Sequence, residues 1–111
     1  LREYLDEFVR APVTLVFGAM RDKQLAEIAA AVFPAAARLV LTRADNPRSA
    51  APESLAPLAA QHLDGRPVSL APTAAGALRL ARELTPPGGL VCVTGSLYLV
   101  GEVRAALAEA G

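Results

Sequence analysis

The sequence predicts a Rossmann-like, three-layer α/β domain with a mainly parallel sheet of about four strands and helices on both faces. Short apolar runs alternate along the chain with longer segments of helical periodicity. The spacing between successive apolar runs implies right-handed crossover connections through helices. Two runs, Val13–Phe17 and residues 90–93, are almost continuously apolar, which is typical of strands buried on both faces.

The first predicted elements are a helix, a strand and a second helix. Residues 1–9 show a helical pattern, and Val13–Phe17 is a strand that ends at Gly18. Residues 21–33 form a helix because apolar side chains recur on one face. Pro34 ends that helix because proline cannot continue the backbone hydrogen bonds.

The middle of the chain supplies one strand and one helix. Residues 38–42 are the second predicted strand, and residues 43–51 form a loop. The helix Pro52–His62 follows, because a proline suits the first helical turn. Pro57 is expected to be its weak point.

Two further strand–helix pairs complete the prediction. Residues 67–70 are a short strand, expected towards a sheet edge, and residues 73–84 are a helix whose first residue suits an N-cap. Residues 86–89 form a turn. The last strand is Leu90–Thr94, and the last helix is Leu97–Ala110.

Composition narrows the functional classes. The 111 residues suit one domain, and 11 basic residues balance 11 acidic ones. A net charge of zero argues against a nucleic-acid or anionic-membrane surface. No apolar run is long enough to cross a bilayer, and a single cysteine excludes an internal disulfide, so we expect a cytoplasmic protein. Because the helical pattern at Leu1 has no capping residue ahead of it, we also expect a longer parent protein.

Three loops at one edge of the predicted sheet carry the candidate site. Ligands of parallel α/β sheets bind at the carboxyl ends of the strands, which places residues 18–23, 42–48 and 94–98 together. In the first loop, Asp22 suits a helix N-cap, and Arg21 or Lys23 can face an anion. The residues of the second loop fit an Asx-turn and an amino-acid-binding site equally well. Arg48 can bind a carboxylate, and Asp45 can accept from an ammonium group.

The third loop resembles an anion-binding turn at a helix start. Ser96 suits an N-cap, and a cap can also bind a ligand. The loop matches neither a Walker A motif nor the dinucleotide-binding glycine pattern. His62 has no partner set for a metal, and Cys92 is expected to be an inert core thiol. A hydrolase triad of Ser96, His62 and Asp45 has little support, because the serine lacks a nucleophile-elbow context.

The same three loops resemble one family. Residues 16–23 (VFGAMRDK), 41–48 (LTRADNPR) and 93–102 (VTGSLYLVGE) are similar, in order and spacing, to the C-terminal domain of bacterial folylpolyglutamate/dihydrofolate synthases. These enzymes belong to the wider Mur ligase family. The last stretch is the most specific of the three. The Asp45–Asn46–Pro47–Arg48 stretch is also similar to the amino-acid-recognition motif of muramyl ligases.

The resemblance implies an ATP-dependent ligase. ATP would phosphorylate a carboxylate of dihydropteroate or folate, and the amino group of glutamate would attack the acyl phosphate. Mg²⁺ would stabilise the charge on the phosphates. By resemblance, Ser96 would help to hold glutamate, with Arg48 and Asp45 as candidates for its charged ends. Asp22 and Lys23 would shape the edge of a cleft that faces a second domain. No catalytic or metal-binding residue is expected in this chain.

The family's ATPase domain, the stretch that joins it to this one and the first strand of this domain are expected to precede Leu1. The isolated 111 residues are therefore expected to lack ligase activity and to hold neither ATP nor Mg²⁺ tightly. Two alternatives stay open. One is the C-terminal domain of an amino-acid-adding muramyl ligase. The other is a small, non-catalytic module that binds an anion or a nucleotide.

Overall fold

A computed structural model describes residues 12–21 and 24–110. Within these ranges the chain folds into a four-stranded parallel sheet covered by helices on both faces. The strands are β1 (Val13–Phe17), β2 (Arg38–Leu41), β3 (Val68–Leu70) and β4 (Leu90–Thr94). The helices are α1 (Leu25–Val32), α2 (Pro52–His62), α3 (Ala74–Leu84) and α4 (Leu97–Ala110), and a short 3-10 turn spans Phe33–Ala35. The predicted fold class is confirmed.

The strand order is β3-β2-β1-β4, and every neighbouring pair is parallel. Because β1 lies between two strands and under helices on both faces, all five of its residues are buried. The carboxyl ends of the strands meet at one edge: Phe17 pairs with Leu41 on one side and with Thr94 on the other. This register brings the three candidate loops to the same edge.

The two faces of the sheet bury separate cores. Leu15, Phe17, Leu39 and Leu41 pack with α1 and α2 on one face, where the Phe17 and Phe33 rings meet edge to face at 5.0 Å. Val16 and Val40 point to the other face, towards α3. The alternation follows from the two-residue repeat of a strand, which sends successive side chains to opposite faces.

The Arg66 side chain connects the end of α2 to the turn that precedes β2 through hydrogen bonds. Its guanidinium donates to the carbonyl oxygens of Leu63 (2.7 Å), His62 (3.0 Å), Pro34 (3.0 Å) and Ala36. The last carbonyls of a helix have no partner within the helix, so a cation there also interacts favourably with the helix dipole.

Four boundary predictions need correction. The first crossover helix begins at Leu25 rather than at residue 21, and its N-cap position falls on Gln24; the capping role expected of Asp22 concerns a residue outside the described ranges. Phe33 lies in the 3-10 turn, where Pro34 tightens the end of the helix. Strand β2 ends one residue early, at Leu41, and β3 begins one residue late, at Val68.

The apolar pattern of the last strand predicts burial on both faces, and this prediction is wrong for the described structure. Strand β4 forms one edge of the described sheet, so its side chains are only half-buried and Leu90 is 39% exposed. The predicted edge position of β3 is confirmed. The predicted helical pattern at residues 1–9 lies outside the described residues.

Candidate functional site

The first and second loops are joined through their backbones. Met20 and Ser49 form an antiparallel bridge. The Arg21 N–H donates to the Arg48 carbonyl oxygen at 2.8 Å, and the Ala50 N–H donates to the Ala19 carbonyl oxygen at 2.8 Å. The loop that carries Arg48 is therefore held directly beside the end of β1.

The second loop is a tight, internally bonded turn. The Asn46 side-chain oxygen accepts the Arg48 N–H at 2.9 Å, which confirms the predicted Asx-turn. The Ala44 carbonyl oxygen accepts from the Asn46 N–H (2.8 Å) and from the Ser49 hydroxyl (3.0 Å). This network fixes the backbone, while the side chains of Asp45 and Arg48 are exposed at the edge of the sheet.

The third loop requires glycine at its first turn. Gly95 has a φ of +114°, a value that side chains rarely adopt. A Cβ atom on Gly95 would overlap with the carbonyl oxygen of Gly18 and approach the Phe17 ring at 3.1 Å. The first and third loops therefore touch through two glycines, and no local pattern in the sequence pairs them.

Ser96 is the N-cap of α4. Its hydroxyl oxygen accepts from the Tyr98 N–H at 3.2 Å and from the Leu99 N–H at 3.4 Å, and the residue is only 9% exposed. The predicted capping role is confirmed. Because both bonds use the hydroxyl oxygen as an acceptor, the hydroxyl hydrogen can still be donated to a ligand.

Helix α4 is also tied to the second loop. One carboxylate oxygen of Glu102 accepts the backbone N–H of Asp45 at 2.7 Å, a contact between residues 57 positions apart. Glu102 lies within the family-like stretch 93–102, and the sequence pattern gives it no role. Its position, six residues after the predicted N-cap, carries no motif that would reveal a loop partner.

A cavity of about 740 Å³ opens beside this contact. It is lined by the following residues: Arg43, Ala44, Asp45, Pro72, Thr73, Ala74, Ala75, Glu102, Ala105 and Ala106. The lining thus includes one arginine and two acidic residues, and the Arg43 guanidinium donates to the Asn46 carbonyl oxygen at 3.3 Å. Of the three residues predicted to hold glutamate, Asp45 lines this cavity, whereas Ser96 and Arg48 are outside the described lining.

The structure describes some of the other positions singled out in the sequence and leaves others outside its described ranges. Asp22 and Lys23, expected at a cleft edge, lie outside the described residues. No group of three His, Cys, Asp or Glu residues in the described ranges could hold a metal ion. Cys92 is half-buried, and burial raises the pKa of its thiol above the ordinary value of 9.0. None of the described helices is long and apolar enough to cross a bilayer.

Fold and loop geometry together define a parallel α/β domain with three loops at the carboxyl edge of its sheet, the edge at which ligands generally bind in folds of this class. A family model described as the Mur ligase, glutamate ligase domain matches residues 1–97. The chain therefore belongs to the Mur ligase family, and its similarity is to the C-terminal domain, as the sequence predicts.

Two relatives illustrate this membership. A protein of Haloferax volcanii named as a probable bifunctional folylpolyglutamate synthase/dihydropteroate synthase is 40% identical over 100 residues. That match covers 90% of this chain and 12% of the relative. The crystal structure of a folylpolyglutamate synthase from Thermotoga maritima is 31% identical, with a TM-score of 0.75, over 99% of this chain and 24% of that one.

A third match shows the fold alone. It is a bifunctional folylpolyglutamate synthase/dihydrofolate synthase from Yersinia pestis, complexed with AMPPNP and a Mn ion, at 24% identity and a TM-score of 0.79. The match covers 96% of this chain and 24% of that chain. The chain thus spans about an eighth to a quarter of the length of these relatives.

Proposed function

We propose that this domain supplies the amino-acid site of an ATP-dependent ligase that joins L-glutamate to dihydropteroate or folate. The observation that carries the proposal is the second loop. Its backbone is fixed by the Asn46 turn, and it exposes one carboxylate and one guanidinium at the carboxyl edge of the sheet. The membership of the chain in a family described as a glutamate ligase domain supports glutamate as the amino acid.

The proposed roles follow from charge. The Arg48 guanidinium presents a planar fork of donors that matches a carboxylate of glutamate. The Asp45 carboxylate accepts a hydrogen bond from the amino group of glutamate, before that amino group is deprotonated for attack. The Ser96 hydroxyl, fixed at the start of α4, donates its hydrogen to a second carboxylate oxygen. The three groups would hold one zwitterionic amino acid by its charged ends.

The reaction divides between two domains. The γ-phosphoryl group of ATP passes to the carboxylate of the acceptor, and ADP leaves. The glutamate nitrogen then attacks the acyl carbon, phosphate leaves, and the nitrogen loses a proton to give an amide. Because the described residues offer no carboxylate cluster for a metal, we assign Mg²⁺ and the nucleotide to a separate ATPase domain.

The proposal places that ATPase domain in the same parent protein, against the edge that carries the three loops. Asp22 and Lys23 would then line the cleft between the two domains. We expect the 111-residue chain alone to lack ligase activity, because the phosphoryl donor would be bound elsewhere. ATP and glutamate are cytoplasmic metabolites, so we propose a cytoplasmic location.

A muramyl ligase is the second candidate, and one observation favours it. The Asp45–Asn46–Pro47–Arg48 stretch, which is similar to the amino-acid motif of that branch, forms a structured turn with both charged side chains exposed. The similarity to folylpolyglutamate synthases at 40% and 31% identity favours the folate branch over it.

The identity of the acceptor that is ligated distinguishes the folate branch from the muramyl branch. The complete parent protein is incubated with ATP, Mg²⁺, labelled L-glutamate and one acceptor at a time: dihydropteroate, folate or a muramyl nucleotide. We expect labelled amide with a pteridine acceptor and none with the muramyl nucleotide. Labelled product with the muramyl nucleotide alone would replace the folate proposal, and no product with either pteridine acceptor would overturn it.

A further inference from the structure

Glu102 connects the two elements that carry the proposed glutamate ligands. It lies on α4, the helix that Ser96 caps, and its carboxylate accepts the N–H of Asp45 at 2.7 Å. A hydrogen bond from a backbone N–H to an ionised carboxylate is stronger than one between neutral groups. The bond therefore links α4, at its sixth residue, to the second loop.

The second loop is held from two sides. On one side the Met20–Ser49 bridge and the bond from Arg21 to Arg48 tie it to the end of β1. On the other side Glu102 ties it to α4. The Glu102 bond is made by a single side chain, and it acts on the residue whose carboxylate is proposed to face the amino group of glutamate. A point mutation of Glu102 can therefore remove this hydrogen bond without altering the rest of the loop.

We propose that Glu102 is a positioning residue for the amino-acid substrate. It would set the direction of the Asp45 carboxylate and, through the rigid Asn46 turn, that of the Arg48 guanidinium. The inference rests on the proposed function, because it concerns the same amino acid. Glu102 itself need not touch the substrate.

Three substitutions separate geometry from charge. Glu102→Ala removes the acceptor. Glu102→Asp keeps the charge but shortens the side chain by one methylene, so it should no longer reach the Asp45 N–H. Glu102→Gln keeps an acceptor oxygen at the same reach and loses the charge, so it should retain a weaker bond. Glu83→Ala, which removes an exposed glutamate from α3, is the matched control.

The first measurement is amide hydrogen exchange at Asp45 in this chain, followed by NMR. Loss of the bond should raise the exchange rate at Asp45 about tenfold in the alanine and aspartate variants and less in the glutamine variant. Exchange in β1 should not change. This readout does not depend on any enzymatic activity.

The second measurement is steady-state kinetics in the complete parent protein. We expect the KM for glutamate to rise about tenfold in Glu102→Ala and Glu102→Asp, less in Glu102→Gln, and not at all in Glu83→Ala. The KM for ATP and kcat at saturating glutamate should stay within about twofold, since the bond is proposed to affect glutamate binding alone. A purely structural role would not produce this split.

The outcomes are distinguishable. If the wild-type protein ligates glutamate and Glu102→Ala exposes the Asp45 N–H without raising the KM for glutamate, the positioning role is overturned and the proposed function stands. If Glu102→Asp behaves like the wild type, geometry is not the cause and the inference is also overturned. If the wild-type protein ligates no glutamate with any acceptor, the proposed function fails and the inference fails with it.

Discussion

Gly95 packs directly on the backbone of Gly18, so the turn after β4 rests on the turn after β1. With φ at +114°, Gly95 adopts a conformation that side chains rarely reach, and a Cβ atom there would overlap with the Gly18 carbonyl oxygen. This contact sets the position of Ser96, the next residue, relative to the first loop.

Gly95→Ala should therefore lower the free energy of unfolding by at least about 2 kcal/mol, because it adds backbone strain and a steric overlap. Gly101→Ala is the matched control. That glycine lies in α4, and a side-chain carbon added to it would meet open space, so alanine there should stabilise the helix by about 0.5–1 kcal/mol. Urea denaturation followed by circular dichroism measures both. Equal effects of the two substitutions would contradict the packing of Gly95 on Gly18.

Arg66→Ala should destabilise the domain by about 2 kcal/mol, since it leaves several carbonyl oxygens at the end of α2 and in the adjoining turn without their charged donor. Arg66→Lys should recover only part of the loss, because an ammonium group cannot reproduce the planar fork. Arg79→Ala, which removes an exposed arginine from α3, should change the unfolding free energy by less than about 0.5 kcal/mol. If Arg66→Ala and Arg79→Ala change the midpoint of thermal denaturation equally, the Arg66 hydrogen bonds do not stabilise the domain.

Two buried threonines should respond in opposite directions to the same substitution. The Thr42 hydroxyl is fully buried and has no hydrogen-bond partner among the residues that the structure describes. The Thr14 hydroxyl is equally buried, but it accepts from Arg38 at 3.3 Å and lies 2.6 Å from the Thr85 hydroxyl. Valine matches the shape of threonine without the polar group.

Thr42→Val should thus raise the unfolding free energy by about 1 kcal/mol, and Thr14→Val should lower it by about 1–2 kcal/mol, because only the second change breaks hydrogen bonds. Chemical denaturation of the two variants beside the wild type gives both signs in one experiment. A destabilised Thr42→Val variant would show that its hydroxyl has a partner in solution.

Cys92 should react slowly with thiol reagents at neutral pH. Burial raises the pKa of its thiol above 9.0, so the thiolate needed for reaction is scarce until the pH exceeds that value. The neutral thiol contributes stability that is fully present below pH 9.0 and is lost as the pH rises through the folded pKa. The rate of iodoacetamide alkylation against pH should have its midpoint above that of the urea-unfolded chain. Coincident midpoints would show that the thiol is not desolvated.

Much of the fold follows from local patterns in the sequence. Alternating apolar runs and helical segments predict the four strands, and Thr73 and Ser96 are confirmed as helix caps. The N-terminus of α1 is not predictable in this way, because the Gln24 side chain, at the N-cap position, makes no capping hydrogen bond among the described residues. The exposure of β4 depends on strand order, which connects residues far apart in the chain.

The site is less accessible to sequence reasoning than the fold. Because the carboxyl ends of parallel strands meet at one edge of a sheet, the sequence predicts that the three loops lie together, and the structure confirms that arrangement. The contact of Glu102 with Asp45 and that of Gly95 with Gly18 join residues that no local motif pairs. Long-range contacts of this kind depend on the three-dimensional register of the sheet.

The glutamate requirement of the Ser96→Ala and Arg48→Ala variants of the complete parent protein tests the central claim most directly. We predict that each substitution raises the KM for glutamate at least about tenfold, because each removes a hydrogen bond or ion pair to the amino acid, while the KM for ATP changes less than about twofold. An unchanged KM for glutamate in both variants would remove these residues from the site and contradict the proposal that this domain binds the amino acid through its three loops.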